Sequence, residues 1–408
     1  MRVVIIGHLL PEPASSAAGS RMLELISFFR EADNEVVFAS AAQNVTFSIA
    51  QKDLDAQLVT IELNSDSFNA QIKALDPEVV LFDRYLTEEQ YGWRVAEACP
   101  NALRILDTED LHCLRQARRD AVKAERPFER ADLNNEIAKR EIAAIFRADL
   151  SLIISEAEID LLTSHFQVKD ALLHYLPFLP AQKEANDTPP FEERSHFMTI
   201  GNFLHPPNID GVEYVQSTIW PLIRKGLPTA EMHVYGAYPP QRILQLHKPQ
   251  NGFYVHGRIA SAQDAFTKAR VCLAPLRFGA GMKGKLLEAM LFSTPSVTTS
   301  IGAEGMHGDL AWGGSISDAP ESIAKAAIAL HEKKDAWQNA VSNGRAILKE
   351  RFNTSDHKAL LQSRLTALKT DLVAHRNENF IGQMLHHHQH KSTEFMSRFI
   401  ALKNQKGA

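Results

Sequence analysis

The residues best equipped for chemistry fall in one run, RFGAGMKGKLLEAM at positions 277–290. It follows an apolar stretch that reads as a strand (Val271, Cys272, Leu273, Ala274) and opens a helix. Gly279, Gly281 and Gly284 let a ligand approach the backbone, and a helix start offers unpaired N–H groups with a partial positive charge. Lys283 and Lys285 add point charges, and Arg277 adds a planar fork suited to phosphate oxygens. Glu288, on the same helical face as Lys285, is placed to accept hydrogen bonds from ribose hydroxyls. In this order the parts form a holder for a nucleoside diphosphate; the plainer reading is a flexible glycine loop with solvated lysines. Beyond the next apolar run, Gly302 and Gly305 again put backbone amides at the carboxyl end of a sheet. Glu304 between them is read equally as a helix cap or a contact to a sugar hydroxyl.

A second group lies in the first half. Asp107, Thr108, Glu109, Asp110, Leu111 and His112 follow the run LRIL directly, so Asp110 and His112 are expected to line a crevice at a strand's carboxyl end. There a histidine can hydrogen-bond a sugar hydroxyl while a carboxylate orients it. The alternative is a helix cap by Asp107 or Asp110 with an exposed histidine. Asp83, Arg84 and Tyr85 occupy the equivalent edge of another strand, and Ser155 to Glu158 a further one that also fits a capping pattern. In the loop and helix start near residue 20, Gly19 and Arg21 are candidates for the cleft, with a surface charge as the other reading of Arg21.

These residues need a frame, and the hydrophobic pattern supplies one. Short continuous apolar runs begin near residues 3, 36, 79, 103 and 150, and again near 197, 232, 253, 271 and 296. Such runs suit parallel strands covered by helices on both faces. Between the first two, Met22, Leu25, Ile26 and Phe29 make one apolar helical stripe opened by Gly19 and Ser20, and the order strand–helix–strand is a βαβ unit. Asn208 is a candidate cap for a helix carrying Val212, Val215 and Ile219. The polar, proline-bearing stretch 181–195 reads as a linker. The expected architecture is α/β: two tandem doubly wound domains, 1–180 and 196–355, followed by a polar helical tail, 356–408.

The chain has 408 residues with 44 Lys+Arg, 49 Asp+Glu and a formal charge of −5. So balanced a charge gives no general attraction to nucleic acid. Its three cysteines, Cys99, Cys113 and Cys272, form neither a disulfide framework nor a CxxC metal pair. The first residues suit neither a signal peptide nor a membrane span, and no segment reaches the roughly 18 apolar residues a spanning helix needs. No metal site is expected: Asp53 and Asp55 match the DxD of metal-dependent transferases by letter alone, and the histidines at 386–390 read as a solvated tail. Arginines at 115, 118, 119, 126 and 130 line a stretch read as one helix, 114–130, whose face is expected to be solvated, with anionic lipid as the other reading. The absence of GxGxxG after Gly7 argues against a dinucleotide oxidoreductase.

The run APLRFGAGMKGKLLEAMLFSTPSVTTSIGAEG resembles the donor-binding signature of group 1 (family 4) glycosyltransferases of the GT-B fold. The starts at Ile200, Gly201 and Asn202, the segment PPNIDG, and Val255, His256, Gly257 and Arg258 are similar to that family too. The resemblance implies a first domain that binds a glycan or lipid-linked glycan acceptor. It implies a second that binds a nucleotide-diphospho-sugar as co-substrate, with retention and without metal or other cofactor. Asp110, His112, Lys285 and Arg277 would then carry catalysis. Gly279, Gly281, Lys283, Gly284, Glu288, Asn202, Gly302 and Glu304 would hold the donor, and Gly19, Arg21 and Asp83 would line the acceptor side. Two departures are plain: the first of the family's paired glutamates falls on Ala280, and its basic pair after the first strand of the donor domain is replaced by Asn202, Phe203, Leu204 and His205. A role in bacterial surface polysaccharide or lipopolysaccharide assembly follows from the resemblance, in the cytoplasm with optional peripheral membrane contact. A sugar-nucleotide epimerase and a non-catalytic nucleotide-sugar-binding subunit are the alternatives.

Overall fold

The computed structural model describes residues 1–42, 47–181 and 188–406, and of 388–391 and 405–406 the backbone only. Residues 182–187 of the stretch read as a linker therefore lie outside the described residues. The first sheet has seven strands: β1 (Arg2–Ile6), β2 (Glu35–Ser40), β3 (Gln57–Thr60), β4 (Val79–Asp83), β5 (Leu103–Asp107), β6 (Leu150–Ile153) and β7 (Leu173–Tyr175). All pair in parallel in the order β3-β2-β1-β4-β5-β6-β7. The second has six: β8 (Phe197–Ile200), β9 (Met232–Tyr235), β10 (Phe253–Gly257), β11 (Val271–Ala274), β12 (Ser296–Thr298) and β13 (Gly314–Ile316), in the order β10-β9-β8-β11-β12-β13, again parallel.

β1, β4 and β5 are buried along nearly their whole length, which is why their sequences run apolar without alternation. Their side chains feed two separate apolar layers, one on each face: Val4, Ile6, Val80, Phe82 and Leu106 on one, Val3, Ile5, Val79, Leu81 and Ile105 on the other. β3, β7 and β13 were not read from the sequence. Each is three or four residues long and closes the edge of a sheet, so it carries no long apolar run.

Several local expectations are corrected. The first helix begins at Ala17, not at Gly19; the hydroxyl of Ser16 caps it by accepting from the Gly19 amide at 3.1 Å. Asn208 lies inside the helix Pro206–Tyr214 rather than at its cap. The arginine-bearing stretch 114–130 is not one helix: the helix His112–Lys123 ends and a short turn at Arg130–Leu133 follows. Past residue 353 the chain is helical, as read, but it packs on the first domain and His386 is not solvated. The helix Thr354–Thr370 buries Leu361, Leu365 and Leu368 in the apolar layer of Val3, Ile5 and Phe29. The last helix, Phe380–Lys406, lies along the helices Arg84–Ala98 and Glu136–Arg147. There the His386 ring meets Arg104 at 3.0 Å and the Arg147 carbonyl at 3.0 Å; the side chains of His388 and His390 are outside the described set.

Candidate active site

In a doubly wound sheet, ligands bind beyond the carboxyl ends of the strands where the strand order reverses. The first sheet reverses between β1 and β4, the second between β8 and β11. Gly7, His8, Asp83 and Arg84 therefore sit at one switch point, and Gly201, Asn202 and residues 275–284 at the other. The two ends face each other in contact. A Cβ added at Gly281 would come within 2.7 Å of Asp110 Cβ, one at Gly284 within 2.5 Å of Ala17 Cβ, and one at Gly305 within 2.3 Å of Ser155 Oγ. Gly281 also has φ +60°, a region side chains rarely adopt.

The glycine loop is held on both sides. Lys283 is buried, and its Nζ donates to the Gly281 carbonyl at 2.7 Å. Lys285 Nζ donates to Asn208 Oδ1 at 2.7 Å, and Asn208 donates to the Asn202 carbonyl at 2.7 Å. Burial pushes both lysines down to about 8, and burial likewise pushes Glu288 up to about 7, against the pull of Lys285. Lys283 and Lys285 are thus not the solvated charges of the plainer reading. Asn202 reaches across to the first domain, donating to Ser15 Oγ at 3.0 Å; beside it Tyr238 donates its hydroxyl to Glu12 at 3.0 Å. Gly302 donates to the Thr299 hydroxyl at 3.1 Å.

Arg277 does not join this group. Its guanidinium pairs with Asp210 and lies over Tyr214, 5.0 Å from the ring centroid. Two of the arginines expected to be solvated, Arg115 and Arg118, come into the cleft instead. Arg118 forms a two-pronged pair with Glu304, both contacts at 2.7 Å, and also donates to the Gly279 carbonyl at 2.9 Å. Glu304 ends the helix Ser300–Ala303, and its side chain caps no following helix but bridges the domains. Arg115 pairs with Asp110.

On the first domain, Asp110 and His112 come together with Nε2 3.4 Å from a carboxylate oxygen. Burial holds the imidazole down to about 4, so it is neutral near pH 7; the Tyr85 ring meets it edge-on at 5.4 Å. Although burial opposes it, Arg115 and then His112 hold the Asp110 carboxyl below its ordinary range. The capping alternative fails. Neither aspartate caps the helix His112–Lys123, whose first amides donate to Glu141 at 2.9 Å. Arg21 is not a surface charge: it is fully buried, paired with Asp107 at 2.8 Å and donating to the Leu176 carbonyl at 2.9 Å. Gly19 packs on the backbone of Glu12, where a Cβ would lie 2.5 Å away.

Glu158 is the residue whose weight sequence reasoning underrated. It is completely buried, and one carboxyl oxygen accepts from Leu111 N at 2.9 Å and Gly281 N at 2.8 Å. One oxygen thus ties the His112 segment to the glycine loop. Burial pushes its carboxyl up to about 8, so it is largely protonated at neutral pH. The signal available was only an acid one turn into a helix, which fits an ordinary capping pattern. Ala280, at the place of the family's first glutamate, is buried in the apolar layer of the first domain.

With this geometry in view, the comparisons with known proteins are specific. Residues 194–333 match the family model described as Glycosyl transferases group 1, so the second domain is a domain of that family. The whole chain has the GT-B fold of solved transferases. It is similar to Staphylococcus aureus TarM, solved with UDP and alpha-GlcNAc-glycerol, at a TM-score of 0.70 and 11% identity over 90% of this chain and 99% of that one. It is similar to Anabaena HepE with UDP, at 0.66 and 11% over 90% and 100%. It is also similar to WaaG, a glycosyltransferase involved in lipopolysaccharide biosynthesis, at 0.60 and 12% over 88% and 98%. No curated protein is matched by the sequence.

Proposed function

We propose that the protein is a glycosyltransferase that moves a sugar from a nucleotide-diphospho-sugar to a hydroxyl of a glycan or lipid-linked glycan. The observation that carries this is the meeting of the two sheet ends: the glycine loop, within the residues that match the group 1 glycosyltransferase model, lies against Asp110 of the first domain. The donor's diphosphate would lie at the amino end of the helix Gly284–Leu291, with Lys283 and Lys285 beside it. Amides and ammonium groups fixed there stabilise the charge that grows on the leaving diphosphate. Glu288 takes the ribose hydroxyls, and neutral His112, oriented by Asp110, takes a hydroxyl of the transferred sugar or the acceptor. With the cations supplied by side chains, the reaction needs no metal. The acceptor hydroxyl attacks from the face the nucleotide leaves, giving retention, and the departing phosphate removes its proton. Similarity to TarM, HepE and WaaG supports UDP as the nucleotide and cell-surface glycan assembly as the setting. No helix among the described residues is long and apolar enough to cross a membrane, and we place the protein in the cytoplasm, with peripheral contact to the inner face where the acceptor is lipid-linked.

The test is a panel of nucleotide sugars with purified protein, reading released nucleoside diphosphate and glycosylated product. Absence of UDP binding together with absence of turnover would sink the proposal. One observation favours a second reading. Apolar packing of Ala280 replaces a family glutamate at the domain contact, which fits a nucleotide-sugar-binding subunit without transfer. Tight UDP binding with neither transfer nor donor hydrolysis would select it.

A further inference from the structure

The charged groups of the cleft are mostly matched among themselves: Arg21 with Asp107, Arg115 with Asp110, Arg118 with Glu304. Three others, Asp83, Arg84 and Glu109, follow the carboxyl ends of the neighbouring strands β4 and β5 and lack a full set of partners among the described residues. Asp83 closes β4 opposite Asp107 of β5, and one of its oxygens is fixed by the His8 amide at 3.0 Å. Its other oxygen, Oδ1, is buried without a hydrogen-bond partner among the described residues, and so is Glu109 Oε1. The Arg84 guanidinium makes no hydrogen bond among the described residues, its ion contact being Asp83 Oδ1 at 3.7 Å. That distance is too long for a direct bond and suits a bridging group.

Backbone strain marks the same two loops. Arg84 has φ +70° and Glu109 φ +62°, in a region that costs a side-chain-bearing residue about 1–2 kcal/mol relative to ordinary backbone. Glycine would relieve that cost at both places, and the strain falls where the two side chains stand.

We infer that Asp83, Arg84 and Glu109 form an acceptor subsite that binds a sugar through a pair of adjacent hydroxyls. The unmatched carboxyl oxygens need donors, and the guanidinium needs acceptors. A hydroxyl is both, and two neighbouring hydroxyls satisfy the three groups at once. A phosphate would suit Arg84 but would face Asp83; an ammonium would suit Asp83 but face Arg84. Glu109, pushed up to about 8 chiefly by burial, can donate as well as accept at neutral pH. Calling the bound sugar the acceptor rests on the transferase reading; the binding itself does not.

The experiment is saturation-transfer NMR on the full chain, with and without saturating UDP. The probes are methyl glucoside, methyl galactoside, methyl mannoside and methyl N-acetylglucosaminide, each beside an analogue lacking two adjacent hydroxyls. At least one glycoside is expected to receive saturation, its analogue is not, and Arg84→Met is expected to weaken binding about fivefold or more, the loss of one net hydrogen bond. Glu109→Gln, which keeps a donor and an acceptor, is the companion variant should Arg84→Met fail to fold, and it is expected to retain binding while Glu109→Ala loses it. The subsite is overturned by silence of all four glycosides on the wild type, by equal signals from the analogues, or by binding that Arg84→Met and Glu109→Ala leave untouched. UDP affinity is read in parallel: sugar binding without UDP binding removes the transferase reading and leaves the subsite standing.

Discussion

Lys285 and Glu158 show how the same burial gives opposite roles to two side chains. Lys285 sits at the amino end of a helix with one acceptor, Asn208, and donors to spare. We expect Lys285→Ala to lower UDP affinity by about 1.5–3 kcal/mol, roughly tenfold to a hundredfold, with thermal melting little changed; calorimetric titration with UDP checks it. Wild-type affinity in that variant would remove the phosphate clamp. Glu158 has both its amide donors already engaged, and its carboxyl is raised to about 8 by burial, from an unfolded value near 4.5. The native state therefore holds a proton that the unfolded chain releases. The stability this brings is complete below about pH 4.5 and is lost progressively as pH rises towards about 8. Glu158→Gln copies the neutral acid and does not titrate, so denaturation midpoints at pH 5.5 and pH 8 should differ less in the variant than in the wild type. An unaltered difference would show that Glu158 is ionised throughout.

At the scale of elements, the glycine loop and the returning helix decide most. The loop's contact with the first domain is possible because Gly281 has no Cβ and adopts positive φ. Gly281→Ala brings a methyl group within 2.7 Å of Asp110 Cβ and strains the backbone, so it is expected to push the loop away and weaken UDP binding more than Gly279→Ala. At Gly279 the nearest atom to an added Cβ is 3.5 Å away. Equal affinities in the two variants would deny the loop's fit a role. The helix Thr354–Thr370 belongs to the core of the first domain although it follows the second in sequence. Leu365, 1% exposed, should cost about 2–5 kcal/mol when cut to alanine, read as a loss of denaturant midpoint. The strands and the donor helix were legible because burial on both faces writes continuous apolar runs. The edge strands β3, β7 and β13 and the exact helix starts were not, since strands of three or four residues and side-chain caps leave no such run.

At the scale of the molecule, the two domains meet through polar contacts set far apart in sequence: Arg118 with Glu304, Asn202 with Ser15, Tyr238 with Glu12, and Glu158 with Gly281. Arg118 and Glu304 are largely shielded from solvent and doubly hydrogen-bonded. A double-mutant cycle of Arg118→Ala and Glu304→Ala is expected to give a coupling of roughly 0.5–3 kcal/mol, and small-angle scattering of either variant a larger radius of gyration. A coupling of zero with unchanged scattering would mean the pair does not hold the domains together.

By itself the sequence determined two doubly wound domains, a glycine- and lysine-bearing loop after β11, and the acidic and histidine residues after β5, because both strand burial and loop chemistry are local patterns. It did not determine which charges would find each other. Arg277 turned to Asp210, Arg21 was sealed against Asp107, and Arg115 and Arg118 came into the cleft. Arg118 and Glu304, 186 positions apart, meet only where one sheet end closes upon the other, while the other pairs depend on how the strands and helices of each domain pack.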